Sequence, residues 1–146
     1  MRAGGVRRMS PEDITILVID DSHEVRESIR GMLEERGYEC LLAENGEEGI
    51  ETARSGNPDL IILDMSLPRL NGMEVLKLFR AEESFADTPI LMLSRHSTSR
   101  DKLASYAYGV NRFASKPVLA SELFAQIDWL LNHKKTKNDN DGKPRD

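Results

Sequence analysis

The feature that most constrains this chain is an unbroken apolar run, Leu60-Ile-Ile-Leu63, which leads into Asp64 and is bracketed by Pro58 and Pro68. A short apolar run bounded by turn residues is typical of a strand buried on both faces, as in a parallel sheet covered by helices. Open sheets of this kind bind ligands at the carboxyl ends of their strands, where Asp64 would lie. Considered alone, Asp64 is equally compatible with a simple turn residue, because Asp favours turns.

Further apolar segments alternate with amphipathic ones on both sides of this run. The predicted strands are residues 14–19, 38–43, 59–64, 89–93 and 112–114, and the predicted helices are residues 23–36, 47–55, 73–81, 102–108 and 121–132. Gly37 and Gly56 are expected to end the first two helices, and residues 82–88 to form a polar loop. Such alternation predicts parallel strands joined by right-handed crossovers. We therefore expect an α/β fold with a single doubly wound, flavodoxin-like (βα)5 sheet in the strand order 2-1-3-4-5.

Composition defines the expected boundaries and the compartment. Residues 1–13 are polar and predict a flexible leader, residues 14–131 form the domain, and residues 132–146 predict a disordered polar tail. The net charge of −5 does not suggest direct binding of nucleic acid. The single cysteine, Cys40, cannot form an internal disulfide and fits a reducing compartment. No apolar run has the length of a membrane span, so we expect a cytoplasmic protein without membrane insertion.

Polar side chains follow four of the five predicted strands. Asp20 and Asp21 come after the first, Asp64 ends the third, and Ser94 and Lys116 follow the fourth and fifth. In the expected strand order the three carboxylates would meet at one edge of the sheet, where they would repel each other unless a cation neutralised them. Oxygen ligands of this kind suit Mg²⁺, which often accompanies a phosphate. With a hydroxyl and an amine beside them, these groups describe a site for a phosphoryl group.

Each of these residues also has an ordinary interpretation. Asp20 and Asp21 could be a favourable charge pair at a helix N-terminus. A serine at a strand end, such as Ser94, is usually a turn residue, and a lysine such as Lys116 is usually a solvated surface charge. Their common position at the ends of the strands favours a functional site.

At this point the chain resembles the receiver domains of response regulators in two-component signalling, and especially stand-alone, chemotaxis-type regulators without an output domain. The resemblance extends from residue 14 to about residue 131. The matching segments are Ile16-Leu-Val-Ile-Asp-Asp21, Asp59-Leu-Ile-Ile-Leu-Asp-Met-Ser-Leu-Pro68 with Asn71-Gly72, Pro89-Ile-Leu-Met-Leu-Ser94 and Phe113-Ala-Ser-Lys-Pro117.

The resemblance implies the chemistry of the acidic edge. Asp64 would be the phosphoacceptor, acting as a carboxylate nucleophile. Mg²⁺ would be held by Asp20, Asp21, Asp64 and the backbone carbonyl of Ser66. The protein would be a phosphoacceptor with self-phosphotransfer and autodephosphorylation at most, and not otherwise an enzyme.

The resemblance also implies a switch. Lys116 would pair with the phosphoryl oxygens, and its bond to Pro117 would be cis. The hydroxyl of Ser94 would close on the phosphoryl group, and the ring of Phe113 would then turn inward. Output would pass to a downstream protein through the face formed by the fourth helix, fifth strand and fifth helix, and weak homodimerisation on phosphorylation is compatible with this scheme.

The chain departs from the family pattern at Arg95, and Phe113 has no hydroxyl, so any signal that depends on a tyrosine hydroxyl is absent. Arg95 stands where the residue after the switch hydroxyl is usually small, and it could cover the phosphoryl pocket, pair with the phosphoryl group or slow the entry of donor and water. His96 lies where the family tunes hydrolysis. We therefore predict that Arg95 and His96 modulate the rates and leave the fold unchanged.

The sequence leaves three functions to compare. The favoured one is a receiver that takes a phosphoryl group from a sensor histidine kinase or phosphotransfer protein and signals by protein–protein contact. The alternative is a phosphorylation-independent pseudo-receiver that acts as a binding module, for which Arg95 is the single favourable feature. A small-molecule phosphatase would need an acid two residues after the nucleophile, and Ser66 cannot serve. No glycine-rich nucleotide-binding motif is present in the sequence.

Overall fold

The computed structural model describes residues 10–95 and 98–133, in which strands alternate with α-helices. The strands are β1 (Thr15–Ile19), β2 (Glu39–Ala43), β3 (Leu60–Asp64), β4 (Ile90–Ser94) and β5 (Arg112–Ser115). The helices are α1 (His23–Glu35), α2 (Gly46–Gly56), α3 (Gly72–Ala81), α4 (Ser99–Ala107) and α5 (Ala120–Asn132), with short 3-10 helices at Pro11–Asp13 and Glu83–Phe85. Within these two ranges, no helix has the length and apolar character needed to cross a membrane.

The five strands form one parallel sheet in the order β2-β1-β3-β4-β5, which confirms the predicted fold. β1 and β3 are neighbours, and Ile19 at the end of β1 pairs with Leu63 of β3. The residues that come next, Asp20 and Asp64, therefore lie side by side at the carboxyl edge. This is the crevice in which doubly wound sheets bind their ligands.

Helices cover both faces of the sheet and produce two hydrophobic clusters. Because successive side chains of a strand point to opposite faces, Leu17 and Ile61 pack with α2 and α3, while Ile16 and Ile62 pack with α1 and α5. Burying one such aliphatic side chain stabilises the fold by about 1.5–3 kcal/mol. A shift of one residue in the pairing of two strands would move every buried side chain to the opposite face of the sheet. The burial pattern therefore determines the register of each strand and the position of its last residue.

The helix α4 has the reverse of the usual amphipathic arrangement. Its one buried residue is Ser105, whose hydroxyl donates to the backbone carbonyl of Asp101 at 2.9 Å. Leu103 is 72% exposed, and Tyr106 is 48% exposed. A helix normally turns its apolar stripe to the core, whereas α4 presents large apolar side chains to solvent.

Two of the helix boundaries that differ from the predictions do so for local reasons. α4 begins at Ser99 and not at residue 102, because the hydroxyl of Thr98 accepts a hydrogen bond from the Asp101 N–H at 3.0 Å and caps the helix. α2 includes Gly56, and it is Asn57 that adopts the left-handed conformation, with φ of 46°. Asparagine is the residue that most often replaces glycine at that position.

Two stretches that were predicted to lack regular structure contain 3-10 helices. Glu83–Phe85 falls within the predicted polar loop, and Phe85 is buried there with its ring 5.3 Å from that of Phe79, edge to face. Pro11–Asp13 falls within the predicted leader, where Ser10 Oγ donates to Asp13 Oδ2 at 3.0 Å. The rest of the predicted leader and the predicted tail after residue 133 lie outside the described residues.

Arg80 joins three segments at the amino edge of the sheet. Its guanidinium donates to the backbone carbonyls of Gly109 at 2.9 Å and Phe85 at 2.6 Å, and to Asn111 Oδ1 at 2.9 Å. Burial lowers the pKa of Arg80. The contacts hold the end of α3 against the loops that enter β4 and β5.

An aromatic stack closes the same edge at the end of α5. The Arg112 guanidinium lies 4.5 Å from the centre of the Trp129 ring. The His133 ring is stacked on Trp129, with centroids 4.1 Å apart. Since Arg112 is the first residue of β5, the stack lies at the opposite end of the sheet from Asp64.

Candidate functional site

Three carboxylates converge at the carboxyl edge of the sheet. Oxygens of Asp20, Asp21 and Asp64 lie within 4.8 Å of one another. Asp20 and Asp64 are buried, while Asp21 is exposed. The predicted meeting of these three residues is thus observed, and it follows from the pairing of β1 with β3.

Lys116 enters the same cluster from the end of β5. Its Nζ lies 2.8 Å from Asp20 Oδ2 and 3.2 Å from Asp64 Oδ1, and its side chain is 9% exposed. The contact with Asp20 is an ion pair at short distance without good hydrogen-bond direction, so Oδ2 has no directed hydrogen bond within the described residues. The Lys116–Pro117 peptide is cis, as the resemblance implied.

Backbone N–H groups fix one oxygen of each buried carboxylate. Ser22 N–H donates to Asp20 Oδ1 at 2.9 Å, and Ser66 N–H donates to Asp64 Oδ1 at 3.2 Å. Asp64 Oδ2 makes no hydrogen bond with any residue that the structure describes, and the Lys116 ammonium is paired with Oδ1. Oδ1 of Asp64 is therefore held in place, and Oδ2 is available to react or to bind a cation.

The environment alters the acidity of both central groups. Burial, reinforced by the negative charge of Asp20, raises the pKa of Asp64 in spite of the opposing charge of Lys116. Burial alone would lower the pKa of Lys116, but its contacts with Asp20 and Asp64 outweigh burial and the net direction is upward. The ammonium is therefore kept charged beside a carboxylate that resists ionisation.

The cluster has the charge and donor set for a divalent cation. Three ionised carboxylates and one ammonium leave about two uncompensated negative charges in a partly buried pocket, which is unfavourable without a counter-ion. The donors are all oxygens, and Asp20 Oδ2 and Asp64 Oδ2 both lack directed hydrogen bonds within residues 10–95 and 98–133. These residues fit a hard cation such as Mg²⁺.

Comparison with known proteins identifies the family. A family model described as the response regulator receiver domain matches residues 16–128. The chain belongs to the response regulator receiver family. Receiver domains of this family serve two-component systems and are generally signalling proteins and not enzymes in the usual sense.

Similar sequences and structures support this assignment. The response regulator MprA of Mycobacterium ulcerans is 36% identical over 126 residues, covering 86% of this chain and 53% of MprA. MprA of Mycobacterium avium is 36% identical over 124 residues, covering 85% of this chain and 54% of MprA. The chain thus spans about half the length of the curated relatives it matches.

Two solved structures have the same fold over most of their length. The chemotaxis protein CheY4 of Vibrio cholerae has a TM-score of 0.77 and 29% identity, covering 80% of this chain and 97% of CheY4. The signal receiver domain of a histidine kinase from Syntrophus aciditrophicus has a TM-score of 0.75 and 29% identity, covering 84% of this chain and 94% of that one.

The predicted switch residues of the receiver domain lie on β4 and β5, the two strands on one side of β3. Ser94 ends β4, is buried, and pairs with Ser115 of β5. Phe113 is half-buried on β5, with its ring 5.7 Å from that of Tyr106 of α4, edge to face. This contact links the strand that leads to Lys116 with the outward-facing helix α4.

Arg95, which departs from the family pattern, lies beside the same site. Arg95 is exposed, and with Lys116 it lines a groove of about 150 Å³ between α1 and the loop after β5. The groove is lined by Glu24, Val25, Ser28, Ile29, Arg95, Lys116, Pro117 and Val118. His96, the other predicted modulating residue, lies outside the described residues.

Two residues that shape the receiver site were not predicted from the sequence. Arg26 of α1 donates from Nη1 to the backbone carbonyl of Asp20 at 2.8 Å. Gly72 was predicted only as part of a turn, but a Cβ there would lie 2.4 Å from the Asp64 carbonyl oxygen. The one sequence signal for Arg26 was the presence of an arginine in the helix that follows Asp20 and Asp21. No local pattern indicated the close approach of Gly72 to Asp64.

Proposed function

We propose that this receiver domain is a phosphorylation-dependent signalling switch in which Asp64 is the phosphoacceptor. The observation that carries the proposal is the position of Asp64, with Oδ1 held by Ser66 and Lys116 and Oδ2 without a hydrogen bond to any described residue. Oδ2 would attack phosphorus as the bond from phosphorus to the donor histidine nitrogen breaks. An acyl phosphate forms, and the imidazole leaves with the bonding electron pair.

Mg²⁺ would be held by Asp21, Asp64 and the backbone carbonyl of Ser66, with Asp20 contributing through water. When bound, the ion supplies positive charge that offsets the charge of the transferring phosphoryl group. Lys116 is already paired with Asp20 and Asp64. It would exchange one carboxylate contact for a phosphoryl oxygen and so would stabilise the product.

The donor would be a sensor histidine kinase or a phosphotransfer protein. The groove beside Lys116 supports this proposal because its lining includes the apolar side chains of Val25, Ile29 and Val118. Arg95 adds a cation to the same lining. A partner that carries an apolar side chain next to a phosphoryl group would match both features. Arg95 would then act on the rate of transfer.

Output would pass through the face formed by α4, β5 and α5 to a downstream protein. A phosphoryl group on Asp64 would attract the hydroxyl of Ser94, and Phe113 would fill the space that Ser94 leaves. Such a packing change is a two-state element that a local charge can bias. The exposed Leu103 and Tyr106 of α4 support a partner surface there.

Intact-mass spectrometry after incubation with acetyl phosphate and Mg²⁺ tests the phosphoacceptor. The wild-type chain should gain one phosphoryl group, and Asp64→Asn should gain none. Asp59→Asn is a matched control, because Asp59 directly precedes β3 at its opposite end and its carboxylate only accepts a hydrogen bond from Thr15 N–H. A gain that persists in Asp64→Asn would refute the assignment.

The same experiment decides the alternative, a phosphorylation-independent pseudo-receiver. Arg95 beside Lys116 is the observation that favours that alternative, because a long cation at the rim could hinder the donor. In that case the wild-type chain would gain no phosphoryl group, whereas Arg95→Ala would gain one.

Amide NMR with and without beryllofluoride, a phosphoryl mimic, tests the output face. We expect shifts in residues 98–116 as well as around Asp64, and little change in α2. Shifts confined to the surroundings of Asp64 would mean that this face does not respond. Sedimentation of the same two samples would show whether the beryllofluoride form associates into a homodimer.

A further inference from the structure

Arg26 lies near the start of α1 and points towards the acidic edge. Its side chain is 13% exposed, and Nη1 donates to the backbone carbonyl of Asp20 at 2.8 Å. Hydrogen bonds from charged donors are roughly twice as strong as those between neutral groups. We propose that Arg26 is a positioning residue for the metal site, acting through the peptide that joins Asp20 to Asp21. This inference rests on the proposed function of the acidic cluster as a Mg²⁺ site.

The backbone of Asp20 is held on both sides of its Cα. Its N–H donates to the Ala43 carbonyl of β2 at 3.1 Å, and its carbonyl accepts from Arg26. Its carboxylate is held separately, by Ser22 N–H. Of these contacts, the one with Arg26 controls the plane of the peptide that leads into Asp21.

The position of the Asp21 carboxylate depends on that peptide more than the positions of the Asp20 and Asp64 carboxylates do. Its carboxylate is exposed and makes no hydrogen bond or ion pair within the described part of the chain. Asp20 and Asp64, in contrast, are each fixed by a backbone N–H and by Lys116. The place of Asp21 in the cluster is therefore set through its backbone, which Arg26 orients.

The charge of Arg26 and its positioning role predict opposite effects on Mg²⁺ binding. Its other contact, from Nη2 to Glu44 Oε1, is 3.9 Å long, and Glu44 is 65% exposed, so this pair neutralises little of the guanidinium charge. Arginine stays charged at every accessible pH. If Arg26 acted only through its charge it would repel a metal ion, and its removal would tighten Mg²⁺ binding. A positioning role predicts weaker binding instead.

Titration calorimetry of the full chain with MgCl₂ distinguishes these roles. Arg26→Met removes both the charge and the donor, while Arg26→Lys keeps the charge and loses the planar fork. We expect the Mg²⁺ Kd to rise about 10-fold or more in both, as is typical when a group that supports a metal ligand is removed. Glu44→Gln, which leaves the contact with Asp20 intact, should match the wild type.

Two further measurements exclude a general structural effect. In metal-free protein, the Asp21 amide resonance should shift in Arg26→Lys and not in Glu44→Gln. With acetyl phosphate, Arg26→Lys should need more Mg²⁺ for half-maximal phosphorylation but reach the wild-type rate at saturating Mg²⁺. If Arg26→Met does not fold, as judged by circular dichroism, Arg26→Lys provides the comparison.

A result that contradicts the positioning role of Arg26 differs from a result that contradicts the proposed metal site. Wild-type Mg²⁺ binding with unchanged or tighter binding in the Arg26 variants would overturn the positioning role and leave the proposed function standing. No Mg²⁺ binding by the wild type would overturn the proposed metal site and this inference with it.

Discussion

Gly72 begins α3, and its lack of a side chain is what allows that helix to approach Asp64. A Cβ at this position would lie 2.4 Å from the Asp64 carbonyl oxygen and 2.6 Å from Met65 Cα. Both atoms belong to the backbone, so neither can move aside by a change of rotamer. The Gly72 N–H also donates to the Met65 carbonyl at 3.0 Å, so α3 cannot move away without losing that bond. Gly72→Ala must therefore displace the segment that carries Asp64.

The size of the effect can be estimated from packing and helix propensity. Overpacking of a filled site costs about 1–3 kcal/mol, and the better helix propensity of alanine offsets up to about 1 kcal/mol of that. A net loss of about 1–2 kcal/mol corresponds to a melting temperature lower by roughly 4–8 °C in a domain of this size. Gly31 is the matched control, because nothing lies within 4 Å of a Cβ there and it is exposed inside α1. Gly31→Ala should raise the melting temperature by about 4 °C.

Thermal melts followed by circular dichroism, with and without Mg²⁺, measure both effects. We expect Gly72→Ala to lose stability and also to bind Mg²⁺ more weakly, because the Asp64 backbone has moved, whereas Gly31→Ala should change stability alone. If Gly72→Ala gained stability as Gly31→Ala does, the close contact between α3 and Asp64 would be wrong, and so would the role of that contact in placing Asp64.

Three further changes test other parts of the structure. Burial and the charge of Asp20 raise the pKa of Asp64, so the folded chain holds the proton of the Asp64 carboxyl more tightly than the unfolded chain does. The fold therefore loses stability as the pH rises above the pKa of Asp in the unfolded chain, about 3.9. Asp64→Asn should therefore raise the metal-free melting temperature in calorimetry at pH 7 but not at pH 3.5, and equal gains at both would contradict this. Burial raises the pKa of Cys40 from 9.0 to about 12, so the reactive thiolate at pH 8 is about 1,000-fold scarcer in the folded chain than in urea. Labelling with a thiol reagent should be slower by about the same factor. Similar rates would show that the thiol is accessible. Arg80→Met removes three hydrogen bonds and should lower the free energy of unfolding, measured in urea, by about 2–4 kcal/mol. Arg54→Met removes an exposed ion pair with Glu82 and should lower it by less than about 1 kcal/mol. Equal losses in the two variants would rule out a special role for Arg80.

The sheet and the acidic cluster could be predicted because both follow from short-range patterns combined with one topological rule. Apolar runs such as Leu60–Leu63 locate buried strands, and the 2-1-3-4-5 order then places Asp20 beside Asp64 without knowledge of any side-chain contact. Lys116 followed from the same rule, since it comes after another parallel strand. The structure brings all three together.

The features that were missed depend on contacts between distant segments or on very short elements. Phe85 is one apolar residue in a polar stretch, and a three-residue helix has no periodicity that could indicate its burial. Arg80 reaches carbonyls up to 29 residues away, which no local pattern indicates. The start of α4 could have been found, because Thr98 and Asp101 have the spacing of a capping box.

The stack at the end of α5 determines what an optical experiment on this protein would report. Trp129 is the only tryptophan in the chain. Because it lies against Arg112 at the start of β5, at the opposite end of the sheet from the carboxylates, a metal ion at Asp64 cannot quench its emission by contact. A change in intrinsic fluorescence on addition of Mg²⁺ or a phosphoryl donor would therefore report movement transmitted along β5 and α5. Trp129 can thus serve as an intrinsic reporter of whether such movement occurs.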